Sequence, residues 1–208
     1  YLFFPNPFQK LISILFLPLT LLYCIITTFK RVSKKPIFYG IPVISVGNLL
    51  VGGTGKTPVT IALAKEYDEV AIVLRGYGRS SKGLFVISQN GTILEDVNTS
   101  GDEAMLLANA LPNATIIVSE DRVNAIIKAK ELGSKIIFLD DAYSKHDIKK
   151  LDLLIDVKTK NNRCLPSGAF RERLWSTKEA IVLQESKDFK RVVELKNKSA
   201  TQKLDEEF

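Results

Sequence analysis

A chain of 208 residues with 46% hydrophobic and 25% charged residues can bury one good-sized core, which excludes disorder over most of its length. Its formal charge of +6 comes from scattered lysines and arginines without a long basic arm, so mild attraction to anionic surfaces is expected and nucleic acid is not an expected partner. The sole histidine is His146, and the two cysteines are Cys24, inside an apolar run, and Cys164, far along in a polar stretch. This excludes a Cys/His metal cluster, argues against a disulfide framework and favours a reducing compartment, with oxygen ligands for any metal.

The chain opens on Tyr1 and closes on LDEEF, and is read as a piece of a longer protein. Residues 11–29, LISILFLPLTLLYCIITTF, carry no charge and lie between Lys10 and the cluster Lys30, Arg31, Lys34 and Lys35. Their length is the lower edge of a bilayer span, and Pro18 disturbs any regular helix there. The lack of a polar stripe favours a membrane helix over a buried core helix. No small-residue cleavage site follows, so the segment is expected to stay attached, and its basic flank places the following domain on the cytoplasmic side. Spanning the bilayer and lying in one leaflet are both open.

After the link SKKPIFYGIP, strands are predicted over 42–46, 70–74, 115–118 and 135–139, and helices over 56–67, 102–111 and 122–132. This alternation predicts an α/β fold with a mainly parallel sheet flanked by helices. The run LFVISQNGTILED reads as a small hairpin, turning at Asn90-Gly91 and inserted beside the second strand. Residues 196–208, KNKSATQKLDEEF, read as a solvated tail.

The strand PVISV leads into GNLLVGGTGKTP and then a helix, the context a phosphate-binding loop requires. Gly52, Gly53 and Gly55 let backbone N–H groups turn inward around phosphate oxygens, and the helix amino terminus adds partial positive charge. Lys56 can reach the β- and γ-phosphates, and the Thr57 hydroxyl can take a Mg²⁺ position. Leu50 stands where the general pattern has glycine, which makes this a GGTGKT-type variant. The expected nucleotide-binding residues are Leu50, Val51, Gly52, Gly53, Thr54, Gly55, Lys56 and Thr57.

The apolar strand KIIFLDD ends on Asp140-Asp141, which puts two carboxylates at the carboxyl edge of the sheet, where a P-loop enzyme holds Mg²⁺. Other charged loops follow strands: RGYGR with Arg75, Tyr77 and Arg79, SEDR ending at Arg122, and LPSGAFRER with Arg171 and Glu172. Arginine suits bidentate phosphate recognition, though RGYGR also reads as a plain surface loop. Asp102 and Glu103 of SGDEA read on their own as an acidic first turn favoured by the helix dipole. His146 reads as a solvated loop residue or as a member of this set. Phosphorylation of a hydroxyl needs such a set, with cations for the phosphoryl group and a carboxylate base for the alcohol.

Taken in order, VGNLLVGGTGKTP, RGYGR, SGDEA, SEDR, FLDDAYSKH and LPSGAFRE resemble the tetraacyldisaccharide 4′-kinases of lipid A biosynthesis, over about residues 5 to 185. The resemblance implies transfer of the ATP γ-phosphate to the 4′-hydroxyl of a tetra-acylated glucosamine disaccharide 1-phosphate, with Mg²⁺, at the cytoplasmic face of the bacterial inner membrane. It implies Asp102 as catalytic base and Lys56 and Thr57 as phosphate and Mg²⁺ ligands. It also implies Asp140, Asp141 and Glu172 at the metal, Arg122 and Arg171 on phosphate, and Arg75 and Tyr77 near lipid or nucleotide. Where the family reads DDGFQH this chain reads DDAYSK with His146 one place later, so those glutamine and histidine roles do not transfer. The family continues into a smaller second domain with a histidine that partners the catalytic aspartate, so this piece is expected to bind ATP weakly and turn over poorly.

The resulting division is a membrane anchor over 1–35, a P-loop kinase domain over 36–190 and a tail or the start of a second domain over 191–208. The partners expected are the lipid A disaccharide precursor and inner-membrane lipid, with the protein monomeric. Two other readings stand beside this one: a membrane-associated P-loop ATPase or GTPase without a lipid acceptor, and an inactive fragment with a degenerate nucleotide fold.

Overall fold

The computed structural model describes residues 2–52, 55–175, 180–184 and 187–188. In chain order the elements are α1 (Pro7–Leu15), α2 (Leu17–Val32), β1 (Val43–Gly47), α3 (Lys56–Ala64), β2 (Val70–Leu74), β3 (Phe85–Gln89) and β4 (Thr92–Ile93). They continue with α4 (Val97–Ser100), α5 (Asp102–Ala110), β5 (Thr115–Val118), α6 (Arg122–Glu131), β6 (Ile136–Asp140), β7 (Leu151–Ile155) and β8 (Ala180–Leu183).

The strands form one sheet in the order β4-β3-β5-β2-β6-β1-β7-β8. From β5 to β8 every pairing is parallel, and β3 and β4 add an antiparallel edge. Parallel strands must be covered on both faces, and the alternation in these strands does this. Ile72, Ile116 and Phe138 point with Ala104 and Leu107 of α5 into one core; Val73, Ile117 and Leu139 point with Ala125 and Ile126 of α6 into the other. Asp121 starts α6 by accepting from the amides of Val123 and Asn124.

The expected mainly parallel α/β sheet is present, with three differences of detail. The hairpin turns at Asn90 and Gly91, both at positive φ, but β3 pairs with β5 and not with the second strand. β7 and β8 extend the sheet beyond β1 on the other side. The apolar amino-terminal segment is two helices, bent by 57° around Phe16, and among the described residues no single helix is long and apolar enough to cross a membrane. Pro18 sits in the first turn of α2, where its missing N–H costs nothing, so the chain breaks just before it and not at it.

The bent α1–α2 pair has two unlike faces. Phe8, Leu11, Leu15, Leu22, Ile25 and Phe29 are exposed, while Ser13 and Thr20 are buried against residues 161–171. The polar stripe that the sequence seemed to lack is this short set of hydroxyl groups. Cys24 and Cys164 are both free thiols, yet this packing brings them together: burial and a hydrogen bond with Cys164 push the Cys24 thiol up.

Candidate active site

The site is built where β1 and β6 end side by side. Val46 is in register with Asp140, and the Asp141 amide donates to the Val46 carbonyl at 3.0 Å. The loop leaving β1 therefore runs next to the carboxylates leaving β6, at the carboxyl edge where open α/β sheets bind ligands. Gly55 caps α3 in the left-handed region (φ 71°, ψ 31°), a conformation open to glycine at little cost. Among the described residues no side chain caps α3, so the amides of its first turn are offered to a ligand, with Lys56 and Thr57 in that turn.

Within the expected loop the residues divide. Gly53 and Thr54 lie outside the described residues. Leu50 is buried in a bridge to Phe170, and the Val51 amide donates to the Ala169 carbonyl at 2.9 Å. These two anchor the loop to the protein, and the expectation that they contact nucleotide is corrected accordingly: the Val51 N–H is already used. Gly52 and Gly55 are exposed and at positive φ, free to turn toward phosphate.

The Thr57 hydroxyl donates to Glu103 Oε1 at 2.6 Å, which ties α3 to the first turn of α5. Asp102 precedes Glu103 and is exposed at the same edge. Gly101 sets this turn: at φ 78° a Cβ there would meet the Tyr77 carbonyl oxygen at 2.9 Å, so SGDEA and RGYGR pack backbone to backbone. Glu103, read on its own from sequence as an acidic first turn, is thus a contact of the phosphate loop.

Asp140 is almost fully buried, and its carboxyl is pushed up to about 7 by burial first and then by the negative charges of Glu103 and Asp141, against Lys56 and Arg122. Asp141, its neighbour at φ 47°, behaves oppositely. Burial alone would raise it, but Arg171 donates to both of its oxygens at 2.8 Å and holds it below the ordinary carboxylate range. Arg171 also donates to Asn48 Oδ1 at 2.6 Å, so it closes a clamp across β1, β6 and the 161–171 segment.

The expected quartet of Thr57, Asp140, Asp141 and Glu172 at a metal is therefore not assembled as such. Asp141 is held by Arg171, and Glu172 faces His146 Nε2 at 3.3 Å, with the two side chains 14% and 7% exposed. His146 is thus not solvated; Lys150, reaching the Tyr143 and Lys145 carbonyls, fixes the loop that carries it. Among the described residues no three His, Cys, Asp or Glu side chains gather to hold a metal ion. Mg²⁺ does not need them to: it is commonly held by one or two carboxylates together with waters and substrate phosphates. The residues fit such an ion, because Asp140 is a buried carboxyl that feels both Lys56 and Glu103, and Glu103 in turn holds the Thr57 hydroxyl group.

The arginines also divide. Arg122, expected on phosphate, is only 5% exposed and donates to the Ser119 and Asp140 carbonyls, which makes it a support beneath Asp140 at the floor of the cleft. Arg79 is locked to Glu120 and the Gly83 carbonyl. Arg75 and Tyr77 stay at the rim, with Tyr77 70% exposed and the Arg75 guanidinium 5.4 Å from its ring centroid. A cleft of about 190 Å³ joins Arg75, Tyr77, Arg122, Asp140, Lys145 and Arg171. A second, of about 170 Å³, lies beyond the Asp141–Arg171 pair between Tyr23, Tyr143 and Glu172.

This arrangement has known counterparts. The family model described as tetraacyldisaccharide-1-P 4′-kinase matches residues 12–206. The chain belongs to this family. It is 61% identical over 199 residues to the tetraacyldisaccharide 4′-kinase of Aliarcobacter butzleri, covering 94% of this chain and 63% of that protein. It is 49% identical to the tetraacyldisaccharide 4′-kinase of Helicobacter acinonychis over 195 residues, covering 92% and 62%. The crystal structure of LpxK from Aquifex aeolicus in complex with ATP matches with a TM-score of 0.69 and 30% identity, over 82% of this chain and 64% of that one. The chain thus spans a little under two thirds of the length of the tetraacyldisaccharide 4′-kinases it matches.

Proposed function

We propose that this chain carries the nucleotide site of a tetraacyldisaccharide 4′-kinase, which transfers the γ-phosphate of ATP to the 4′-hydroxyl of tetraacyldisaccharide 1-phosphate. The observation that supports this most is the register of Val46 with Asp140, which sets a free helix amino terminus bearing Lys56 and Thr57 beside a charge-starved carboxylate. In this reading Lys56 and the α3 amides hold the β- and γ-phosphates. Thr57 and Asp140 would hold Mg²⁺, which when bound neutralises phosphate charge. Asp102, exposed at the start of α5, orients the acceptor hydroxyl and takes its proton. Arg75 and Tyr77 close over the substrate from the rim. Arg171 faces the same cleft while holding Asp141, and Arg122 keeps Asp140 in place from below.

The bent α1–α2 pair fits a lipid acceptor. At 1.5 Å per residue the 16 residues of α2 reach about 24 Å, short of the roughly 30 Å hydrocarbon core, and its polar side is occupied by protein. We therefore read residues 1–35 as a segment that lies in one leaflet of the inner membrane on its cytoplasmic side. Lys30, Lys34 and Lys35 face the headgroups. Residues 36–190 form the kinase domain, the protein acts as a monomer, and residues 191–208 lie outside the described residues.

The test uses the full protein that contains this chain. Incubated with γ-labelled ATP, Mg²⁺ and tetraacyldisaccharide 1-phosphate in mixed micelles, it is expected to move label into lipid. Label released only as inorganic phosphate, with or without lipid, would favour the ATPase reading and overturn this one.

A further inference from the structure

Residues 161–171 join the bent α1–α2 pair to the phosphate loop, and their two margins are bonded in opposite directions. On the α1–α2 side, Thr20 Oγ1 donates to Ser167 Oγ at 2.7 Å and accepts from the Ser167 amide at 3.1 Å. Ser13 Oγ donates to the Ser167 carbonyl at 2.5 Å and accepts from Arg163 at 3.0 Å, and Tyr23 donates to the Arg171 carbonyl at 2.8 Å. Ser167 is wholly buried, and Asn161 Nδ2 donates to its carbonyl at 2.8 Å.

On the phosphate-loop side the same segment forms a short ladder. The Val51 amide donates to the Ala169 carbonyl at 2.9 Å, the Arg171 amide donates to the Leu49 carbonyl at 2.8 Å, and Leu50 bridges Phe170. Only Gly168 separates Ser167 from Ala169, so a shift of Ser167 is carried directly to the backbone just ahead of Gly52. The backbone is close-packed there: a Cβ on Gly168 would lie 2.3 Å from the Arg163 carbonyl oxygen.

We infer that Thr20 and Ser167 are positioning residues for nucleotide binding, coupling the seating of the bent α1–α2 pair to the conformation of the phosphate loop. A hydroxyl pair is suited to this. On a largely apolar helix, buried polar groups must find partners, and the donor-acceptor match of Thr20 with Ser167 fixes one register of α2 on the segment where apolar contacts alone would allow sliding. The consequence is that the α1–α2 pair is part of the nucleotide site's framework as well as the surface that faces lipid. This inference rests on the kinase reading above.

The experiment compares Thr20→Val, Thr20→Ser and Ser167→Ala in the full protein, measuring kcat and the KM for ATP at saturating lipid acceptor, with thermal unfolding alongside. Thr20→Val keeps shape and removes the hydroxyl group. It is expected to raise the ATP KM about tenfold with kcat changed less than twofold, the scale of a buried partner left unsatisfied. Thr20→Ser is expected to restore the wild-type KM, and Ser167→Ala to raise it by a smaller factor. If Thr20→Val does not fold, Ser167→Ala decides, since its main-chain bond to Thr20 survives. Lowered thermal stability with an unchanged ATP KM in the folded variants would overturn the inference and leave these residues as packing alone. A wild-type protein that transfers no phosphate to lipid would instead count against the kinase reading, and ATP affinity measured by titration would still test the coupling.

Discussion

Asp140 and Asp141 are adjacent in sequence and leave the same strand, yet the two sides of the β6 terminus that they face are opposites. On the Asp140 side, α3 and α5 bring Lys56 and Glu103, to which Thr57 is bonded, near a carboxyl that burial first and then negative neighbours push up to about 7. On the Asp141 side, Arg171 and Asn48 complete a clamp that holds the carboxyl low. The difference teaches that charge at a site edge is not interchangeable. One aspartate is kept short of counter-charge, in the state of a group waiting for a cation; the other has its counter-charge built in and acts as a fastening.

The sharpest way to separate chemistry from framework on the Asp140 side is Asp102→Asn. In the full protein it should lower phosphate transfer about 10²- to 10⁴-fold, the usual loss for a general base, with ATP affinity within twofold of wild type. Parallel losses in both would make Asp102 a nucleotide-binding residue.

A pH series addresses the comparison itself. With its folded carboxyl near 7 and an ordinary value of 3.8, Asp140 is protonated at pH 6, and a cation must displace that proton to use it. Affinity for Mg²⁺ with ATP should therefore rise with pH by at most about tenfold per unit below pH 7 and level off above it. In Asp140→Asn the rise should be absent. The same linkage has a stability counterpart: a raised carboxyl favours the protonated folded state, so the penalty from Asp140 is absent below about pH 4 and complete above pH 7. Asp140→Asn should then unfold at a higher temperature than wild type at pH 8 and at the same temperature at pH 4, a contrast that scanning calorimetry at both values would read.

Arg171→Lys should give the smallest effect. A lysine cannot span both Asp141 oxygens and Asn48, so the clamp loosens. The expected result is a fall in unfolding temperature of about 2 to 6 °C, from about 1 kcal/mol of lost stability, with the pH slope of nucleotide binding retained. Loss of that slope would show that the two sides are not independent.

Much of the core was legible from the chain. The runs VAIVL, TIIV and KIIFLD are short, apolar and β-branched, and such runs are specific when helical patterns separate them. GGTGKT between strand and helix marked the nucleotide loop, and the apolar strand closing on Asp140-Asp141 marked its neighbour. The unpredicted parts depend on contacts between distant residues. In β7 the buried Asp152 obscures the strand pattern, and the Lys150 pairing that offsets it is visible only in three dimensions. The phosphate and metal roles of Arg122, Arg171 and Glu172 came from the resemblance, and sequence does not show the partner that each has in the structure, at the Asp140 carbonyl, Asp141 and His146. Pro18 was read as disturbing the interior of one apolar helix, whereas it lies in the first turn of α2, because proline disrupts a helix interior but suits a first turn.

The central claim is that nucleotide phosphates are held at the α3 amino terminus on the Asp140 side. The most direct measurement is equilibrium titration of the full protein with ATP and Mg²⁺, for wild type and Lys56→Ala, with unfolding temperatures to establish that both are folded. Saturable binding by wild type with affinity at least about 30-fold weaker in Lys56→Ala is the predicted result, the scale of one lost charge-assisted phosphate contact. Equal affinity in the two proteins would contradict the claim.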